Sequence, residues 1–221
     1  MKRGIIIVAG GIGTRFKGNV PKAFIELDGK SLLAHCAGVF ENMHIDEMAV
    51  AVPEGYITHS RRILSDFGLQ IIIVVGGKTR VQSMRAAFFA LGDKIEVVGV
   101  HDVARPLLHP ESAEAVFLAA EKYGAATLGL PVSDTLKSIE DGFILNTVPR
   151  DNIWAMQTPQ VFHKKLLKHA LHQNTEGCTD DCSLIEQLNE KIFLVEGKRT
   201  NIKITYPEDL QIAESIINLR K

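Results

Sequence analysis

The stretch "GIIIVAGGIGTRFKGNVPKA", Gly4 to Ala23, sets a short apolar run against a loop that packs glycines beside Arg15, Lys17 and Lys22. The run has the length and β-branching of a buried strand. It is continuously apolar rather than alternating, which marks a strand covered on both faces; such strands are typically parallel and joined by helices. The next hundred residues repeat that rhythm. "EMAVAV" (Glu47 to Val52), "IIIVV" (Ile71 to Val75) and "IEVVGVHD" (Ile95 to Asp102) are further Ile/Val-rich runs. Between them, Ser31 to Asn42, Gly55 to Phe67 and Val81 to Leu91 carry apolar residues three and four apart, as does Pro110 to Tyr123 after the fourth run. The fold class is therefore α/β, a mostly parallel sheet with helices on both faces, and its ligands are expected beyond the carboxyl ends of the strands.

From Ala125 the pattern turns strand-like as far as Arg150, with Asp141-Gly142 as a turn between two extended pieces, so a protruding β-hairpin arm is expected over residues 132–152. Helical periodicity returns at Lys164 to Gln173 and Ser183 to Glu190, followed by "IFLV" (Ile192 to Val195) and a helix beginning near Pro207. No repeat or linker interrupts the chain, and residues 1–221 read as a single domain.

Composition narrows the function classes. A chain of 221 residues that is 46% apolar can bury one sizeable core without disulfides or metals. Its formal net charge is -1 and no Lys/Arg run exceeds three residues, which argues against a basic face for nucleic acid. With no apolar stretch of membrane-spanning length, no secretory leader and three cysteines, the sequence reads as cytoplasmic, reduced and without a membrane partner.

The glycine loop invites a phosphate reading, yet two familiar forms fail. Gly11-x-Gly13 supplies the first two glycines of a dinucleotide fingerprint but puts Phe16 where the third must allow close helix packing. Gly13-x4-Gly18 begins a Walker A loop, but Asn19-Val20 stands where Lys and Ser/Thr are needed. What remains is glycine-rich backbone that lets N–H groups approach a polyphosphate, with Arg15 and Lys22 to neutralise charge during phosphoryl transfer. Taken alone, this is no better a reading than a plain βα turn with solvated cations.

"GGIGTR" followed by "PKA" (Pro21 to Ala23) resembles the signature of sugar-nucleotide pyrophosphorylases and cytidylyltransferases. In order along the chain, "GGKTRVQSM" (76–84), "VHDVARP" (100–106), "PVSDTLK" (131–137), "QTPQVF" (157–162), "TDDCSLIE" (179–186) and "NIKITYPEDL" (201–210) resemble the 2-C-methyl-D-erythritol 4-phosphate cytidylyltransferase family. Each piece is weak alone, but together they span the chain.

The resemblance implies a Rossmann-like nucleotidyltransferase fold and a Mg²⁺-assisted attack by a polyol-phosphate oxygen on the α-phosphorus of CTP, releasing pyrophosphate. It nominates Arg15 and Lys22 as catalytic cations. It places CTP against Ala9, Gly10, Gly11, Gly13, Gly77, Arg80 and Ser83, and gives Asp102 to the divalent cation and the acceptor hydroxyls. Arg105, Thr135, Arg150, Thr158, Thr179 and Lys203 are nominated for the acceptor, and the arm for a homodimer in which Thr135 and Arg150 reach the neighbouring site. On local chemistry alone, Arg80 is equally a solvated helix-start cation, Asp102 a turn cap and each Thr a strand residue.

The sequence departs from the family's usual pattern at Ala23, where Gln is common, and at Val103, where Ala is. Gly10 is closer to ribitol-5-phosphate cytidylyltransferases, which share most motifs, so ribitol 5-phosphate is the alternative acceptor; Trp154 and Asp180-Asp181 favour methylerythritol phosphate. A non-catalytic nucleotide-binding subunit is the reading from another class, opposed by the presence of both Arg15 and Lys22. His101 reads as a hydrogen-bonded structural residue. Cys178-x3-Cys182 with His172 lacks the spacing and the second pair of a zinc site.

Overall fold

The computed structural model describes residues 1–11, 20–173 and 175–220. Its strands are β1 (Arg3–Val8), β2 (Glu26–Leu27), β3 (Lys30–Ser31), β4 (Glu47–Val52), β5 (Gln70–Val75), β6 (Val97–Asp102), β7 (Ala125–Pro131), β8 (Leu136–Glu140), β9 (Phe143–Val148), β10 (Trp154–His163) and β11 (Phe193–Glu196). Its α-helices are α1 (Leu32–Glu41), α2 (Ile57–Leu64), α3 (Arg80–Ala90), α4 (Pro110–Tyr123), α5 (Lys164–Ala170), α6 (Asp181–Glu186) and α7 (Glu208–Asn218). Seven strands form the main sheet in the order β11-β7-β10-β6-β1-β4-β5. All of its pairings are parallel except those of β10, which runs antiparallel to both β6 and β7.

The alternation of side chains along β1 divides the core. Ile5 and Ile7 join Met48, Val50, Phe40 and Phe117 on the face covered by α1 and α4, while Ile6 and Val8 join Ala49, Met84, Phe88 and Leu184 on the face covered by α3 and α6. Both faces being dry is why the strand sequences show no polar alternation.

Helix ends follow local chemistry. Ser31 caps α1 by accepting from the Ala34 N–H, and α4 starts with Pro110 at its first turn and stops at Gly124, whose φ of 88° belongs to the left-handed region. Capping boxes open both α3, through Thr79 and Gln82, and α6, through Asp180 and Ser183.

The strand-like segment from Ala125 divides in two: Ala125–Pro131 is an inner strand of the main sheet, buried as far as Gly129 and paired with β10 on one side and β11 on the other, and β8 and β9 follow it as a separate two-stranded arm. The ten-residue β10, seen in the sequence only as a motif, is a full strand, because a Pro at its centre and polar Gln157, Thr158 and Gln160 masked its character. The expected turn holds: Asp141 and Gly142 have φ of 48° and 84°, the pair of positive values a two-residue hairpin turn needs.

Candidate active site

Val8 and Asp102 are register partners at the carboxyl ends of β1 and β6. Beyond them lies a cavity of about 310 Å³ lined by Val8, Val103 and Ala104, by the loop residues Gly10, Gly11, Gly77, Lys78 and Thr79 with Ser83, and by the charged Lys22, Arg80, Asp102 and Lys203. This is where an α/β sheet is expected to present its ligands.

Close backbone approach shapes the loops. A Cβ on Gly10 would lie 2.7 Å from Ser83 Oγ, and one on Gly76 2.8 Å from the same atom and 3.3 Å from Gly10 Cα. A side chain at either position would displace Ser83 Oγ, and at Gly76 it would also press on the Gly10 backbone, so the two glycines let the loops meet closely over Ser83. Ser83 Oγ accepts from the Gly77 N–H at 3.1 Å and lies 3.0 Å from the Thr79 carbonyl, to which it donates, so it holds the second loop on the start of α3. Gly11 is exposed with open space around it, and Ala9 is buried with its amide donating to the Ala51 carbonyl, so Ala9 faces the core. Gly13 and Arg15 lie outside the described residues.

Arg80, Asp102 and Lys203 belong to a charge network. The Arg80 fork donates to both oxygens of Asp181 at 2.8 Å, and its Nε donates to Asp102 Oδ1 at 2.9 Å. Lys203 Nζ donates to Asp102 Oδ2 at 2.8 Å. Asp181 is fully buried and Asp102 nearly so. Burial alone would push the Asp102 carboxyl up, but the charges of Arg80 and Lys203 outweigh it and hold the group well below the usual carboxylate range. Burial likewise opposes the Arg80 charge, which Asp181 and Asp102 restore. Lys22 lines the cavity and donates to the Ile204 carbonyl at 2.9 Å, tying the start of the chain to the segment that carries Lys203. Ala23 beside it is fully buried in the core.

The acceptor nominations separate into two groups. Arg105 donates to the Asn201 carbonyl at 2.8 Å and the Met156 carbonyl at 3.2 Å, and its buried Nε has no partner among the described residues. Thr158 is buried, with Oγ1 accepting from the Asp102 amide at 3.2 Å. Neither lines the cavity: both bond the Asp102 backbone, Thr158 at its amide and the Arg105 amide at its carbonyl, while Lys203 lines the cavity and holds the Asp102 carboxylate. Thr135, Arg150 and Thr179 are exposed and do not line the cavity in this chain; the Arg150 guanidinium donates to the Ser133 carbonyl at the base of the arm.

Asp102 is the carboxylate available to a divalent cation here. Among the described residues no group of three or more His, Cys, Asp or Glu side chains is arranged to hold a metal. A hard cation that keeps its waters and is shared between one carboxylate and substrate phosphates needs no such group. Asp102 fits that demand: it is ionised, and each oxygen makes one hydrogen bond and retains acceptor capacity.

Asp181 escaped the sequence reading as a site residue. Its signal is the capping box, because D-x-x-S fixes Asp181 as the first residue of α6 just as T-x-x-Q fixes Arg80 as the first of α3. Two helix starts thus bring an Arg and an Asp together across 101 residues of sequence. Gln160 braces the arrangement, donating to Asp180 and accepting from the Asp181 and Cys182 amides.

The family described as 2-C-methyl-D-erythritol 4-phosphate cytidylyltransferase matches residues 4–219. A relative of that name from Caldicellulosiruptor bescii is 37% identical over 98% of each chain, and one from Clostridioides difficile 39% identical over 98% of this chain and 94% of its own. A crystal structure of the Thermus thermophilus cytidylyltransferase superposes with a TM-score of 0.83 at 33% identity, covering 99% of this chain and all of that one. The Anaerococcus prevotii 4-diphosphocytidyl-2C-methyl-D-erythritol synthase gives 0.87 at 29% identity, covering 98% and 96%.

Proposed function

The chain belongs to the 2-C-methyl-D-erythritol 4-phosphate cytidylyltransferase family, and from that premise we infer that its cavity joins CTP to 2-C-methyl-D-erythritol 4-phosphate. The products are CDP-methylerythritol and pyrophosphate, a step of isoprenoid precursor synthesis. The observation that carries the reading is the cavity itself, where backbone loops closed over Ser83 face an ionised Asp102 and the cations Lys22 and Lys203. Such a site positions a polyphosphate and stabilises its charge, which is most of what phosphoryl transfer demands.

In this reading the glycine loops take the CTP, and Lys22, with Arg15 from outside the described residues, lies against the α-phosphate. An oxygen of the acceptor phosphate attacks the α-phosphorus, the α–β bridging bond breaks, and pyrophosphate leaves with the electron pair. The nucleophile is already anionic, so no side-chain base is required. Lys22 opposes the charge that grows on the leaving oxygens, and its hydrogen bond to Ile204 fixes where it can do so. Asp102, whose oxygens each keep acceptor capacity, would hold Mg²⁺, which would further neutralise the phosphate oxygens; Lys203 beside it would face the acceptor's phosphate.

The arm supports a homodimer. Ile139, Phe143, Ile144 and Leu145 are each at least 60% exposed on a two-stranded ribbon, an apolar surface in search of cover. A second chain paired about a two-fold axis covers it and carries Thr135 and Arg150 toward the neighbouring cavity. Residues 1–221 act as a single domain. No described helix is long and apolar enough to cross a membrane, and three free thiols, two of them buried, suit a reducing cytoplasm.

The test is pyrophosphate release from CTP and Mg²⁺ with methylerythritol 4-phosphate and ribitol 5-phosphate in parallel. The reading expects the first to be the better substrate. At least tenfold higher kcat/KM for ribitol 5-phosphate would transfer the acceptor assignment.

A further inference from the structure

His101 precedes Asp102 on β6, is fully buried, and has no part in the chemistry above. Its ring is held on three sides. Nε2 lies 3.0 Å from the Arg105 carbonyl, Nδ1 lies 2.9 Å from Thr158 Oγ1, and Phe40 meets the ring edge-on at 5.8 Å between centroids. A carbonyl only accepts, so Nε2 carries the proton. Nδ1 of the neutral ring is then an acceptor, and the Thr158 hydroxyl must donate to it. The same hydroxyl oxygen accepts the Asp102 N–H. Every proton in this chain is thereby assigned.

The chain closes into a ring around the acceptor side of the cavity. Arg105, whose carbonyl takes the His101 proton, donates through its guanidinium to the Asn201 carbonyl. Asn201 Nδ2 donates to the Thr158 carbonyl at 3.1 Å, and Lys203, two residues on, donates to Asp102. Gly10, Gly77 and Ser83 make no hydrogen bond to any member. Burying two ring nitrogens costs free energy unless both are hydrogen-bonded, and both are, so the imidazole is in place for the bonds it makes.

We propose that His101 is a positioning residue for the transfer: its Nε2–H tautomer fixes the Arg105 backbone and the Thr158 hydroxyl relative to Asp102, and so sets the acceptor subsite without touching substrate. The role rests on the function inferred above; the hydrogen-bond chain does not. Thr158, buried behind Asp102, acts in the same way, its proton being committed to His101 and its oxygen to the Asp102 amide.

The experiment has two arms. Imidazole ¹⁵N NMR of the unliganded wild-type protein reads the tautomer directly, with a protonated Nε2 and a bare Nδ1 expected at His101. Thr158→Val is expected to shift the Nδ1 signal, and Thr158→Ser, which keeps the hydroxyl, to leave it in place. Steady-state kinetics of His101→Phe should then show acceptor KM raised ~10- to 100-fold, the usual cost of losing a group that orients another. The KM for CTP should move less than about threefold, since the nucleotide loops lie outside the ring. An Nδ1–H tautomer, or a Thr158→Val spectrum unchanged from wild type, overturns the proposal even in a fully active enzyme. Equal rises in both KM values overturn it as well, because a merely structural role loosens both sides alike. Absence of turnover with methylerythritol phosphate overturns the functional reading, and the positioning role with it, while the spectra still read the chain.

Discussion

At the cavity, hydrogen-bond partners come from opposite ends of the sequence: Arg80 meets Asp181 and Asp102 meets Lys203, each across 101 residues. On the β8–β9 arm, Lys137 meets Thr147 ten residues away and Ser138 meets Asn146 eight away. The cavity groups are buried or half-buried and paired within the chain, whereas Phe143 at the arm's tip is 79% exposed. In the first region the hydrogen bonds are closed by distant parts of one chain. In the second they are closed locally, and the apolar side chains Ile139, Phe143, Ile144 and Leu145 stay exposed.

The largest effect on the first region is expected from Asp181→Ala, which removes both hydrogen bonds of the Arg80 fork and leaves Asp102 as the remaining carboxylate against a part-buried guanidinium. The expected loss is about 2–3 kcal/mol of stability, read from denaturant midpoints. A loss below about 1 kcal/mol, the range of exposed pairs, would mean the network is not a buried one. Lys22→Ala tests chemistry rather than folding: kcat should fall on the order of a hundredfold with a smaller change in CTP affinity, as for a group acting mainly on the transition state. An intact kcat with weakened CTP binding would make Lys22 a ground-state ligand.

Acid titration probes the same region. His101 is held neutral by burial, its pKa pushed down from 6.5 to about 4. The unfolded chain therefore takes up this proton first as pH falls, and stability present above pH 6.5 is lost progressively toward pH 4, by about 3 kcal/mol at most. The depressed Asp102 carboxyl adds a further loss of the same sign below the ordinary carboxylate range. Urea midpoints between pH 7 and 4 measure the slope. His101→Phe should flatten the upper part, and an equal slope in that variant would assign the proton elsewhere.

The arm should respond in the opposite manner. Phe143→Asp, at an exposed position, should change folding stability by no more than about 0.5 kcal/mol while shifting light-scattering mass from dimer to monomer. Mixing Arg150→Ala with Lys22→Ala subunits should restore part of the activity, because one of the two sites in a heterodimer then has both groups intact. A fully active monomer, or no recovery on mixing, would remove the arm from the site.

The same contrast governs what the sequence discloses. Strand interiors of three to five consecutive Ile and Val residues, Pro110 opening α4 and Asp141-Gly142 turning the arm are local signals, and each element lies within a few residues of where its pattern places it. β10 is hidden because its central "QTPQ" spends side chains on the Asp102 amide, the Lys198 carbonyl and Asp180 rather than on a dry face. In the candidate site, Gly10, Gly77, Ser83, Asp102 and Lys203 carry motif signals and do come together around one cavity. The bridge from Arg80 to Asp181 and the ring through His101 do not show in any short window, since each is created by the topology that brings β6, β10, α3 and α6 to one edge.

Nucleotidyl transfer at the α-phosphorus is read by ³¹P NMR of a reaction with CTP, Mg²⁺ and methylerythritol 4-phosphate. Free pyrophosphate and a new pair of diphosphate-diester signals should appear in equal amounts, both strongly slowed in Lys22→Ala. Inorganic phosphate with CDP, or CMP formed without any acceptor conjugate, would rule that transfer out.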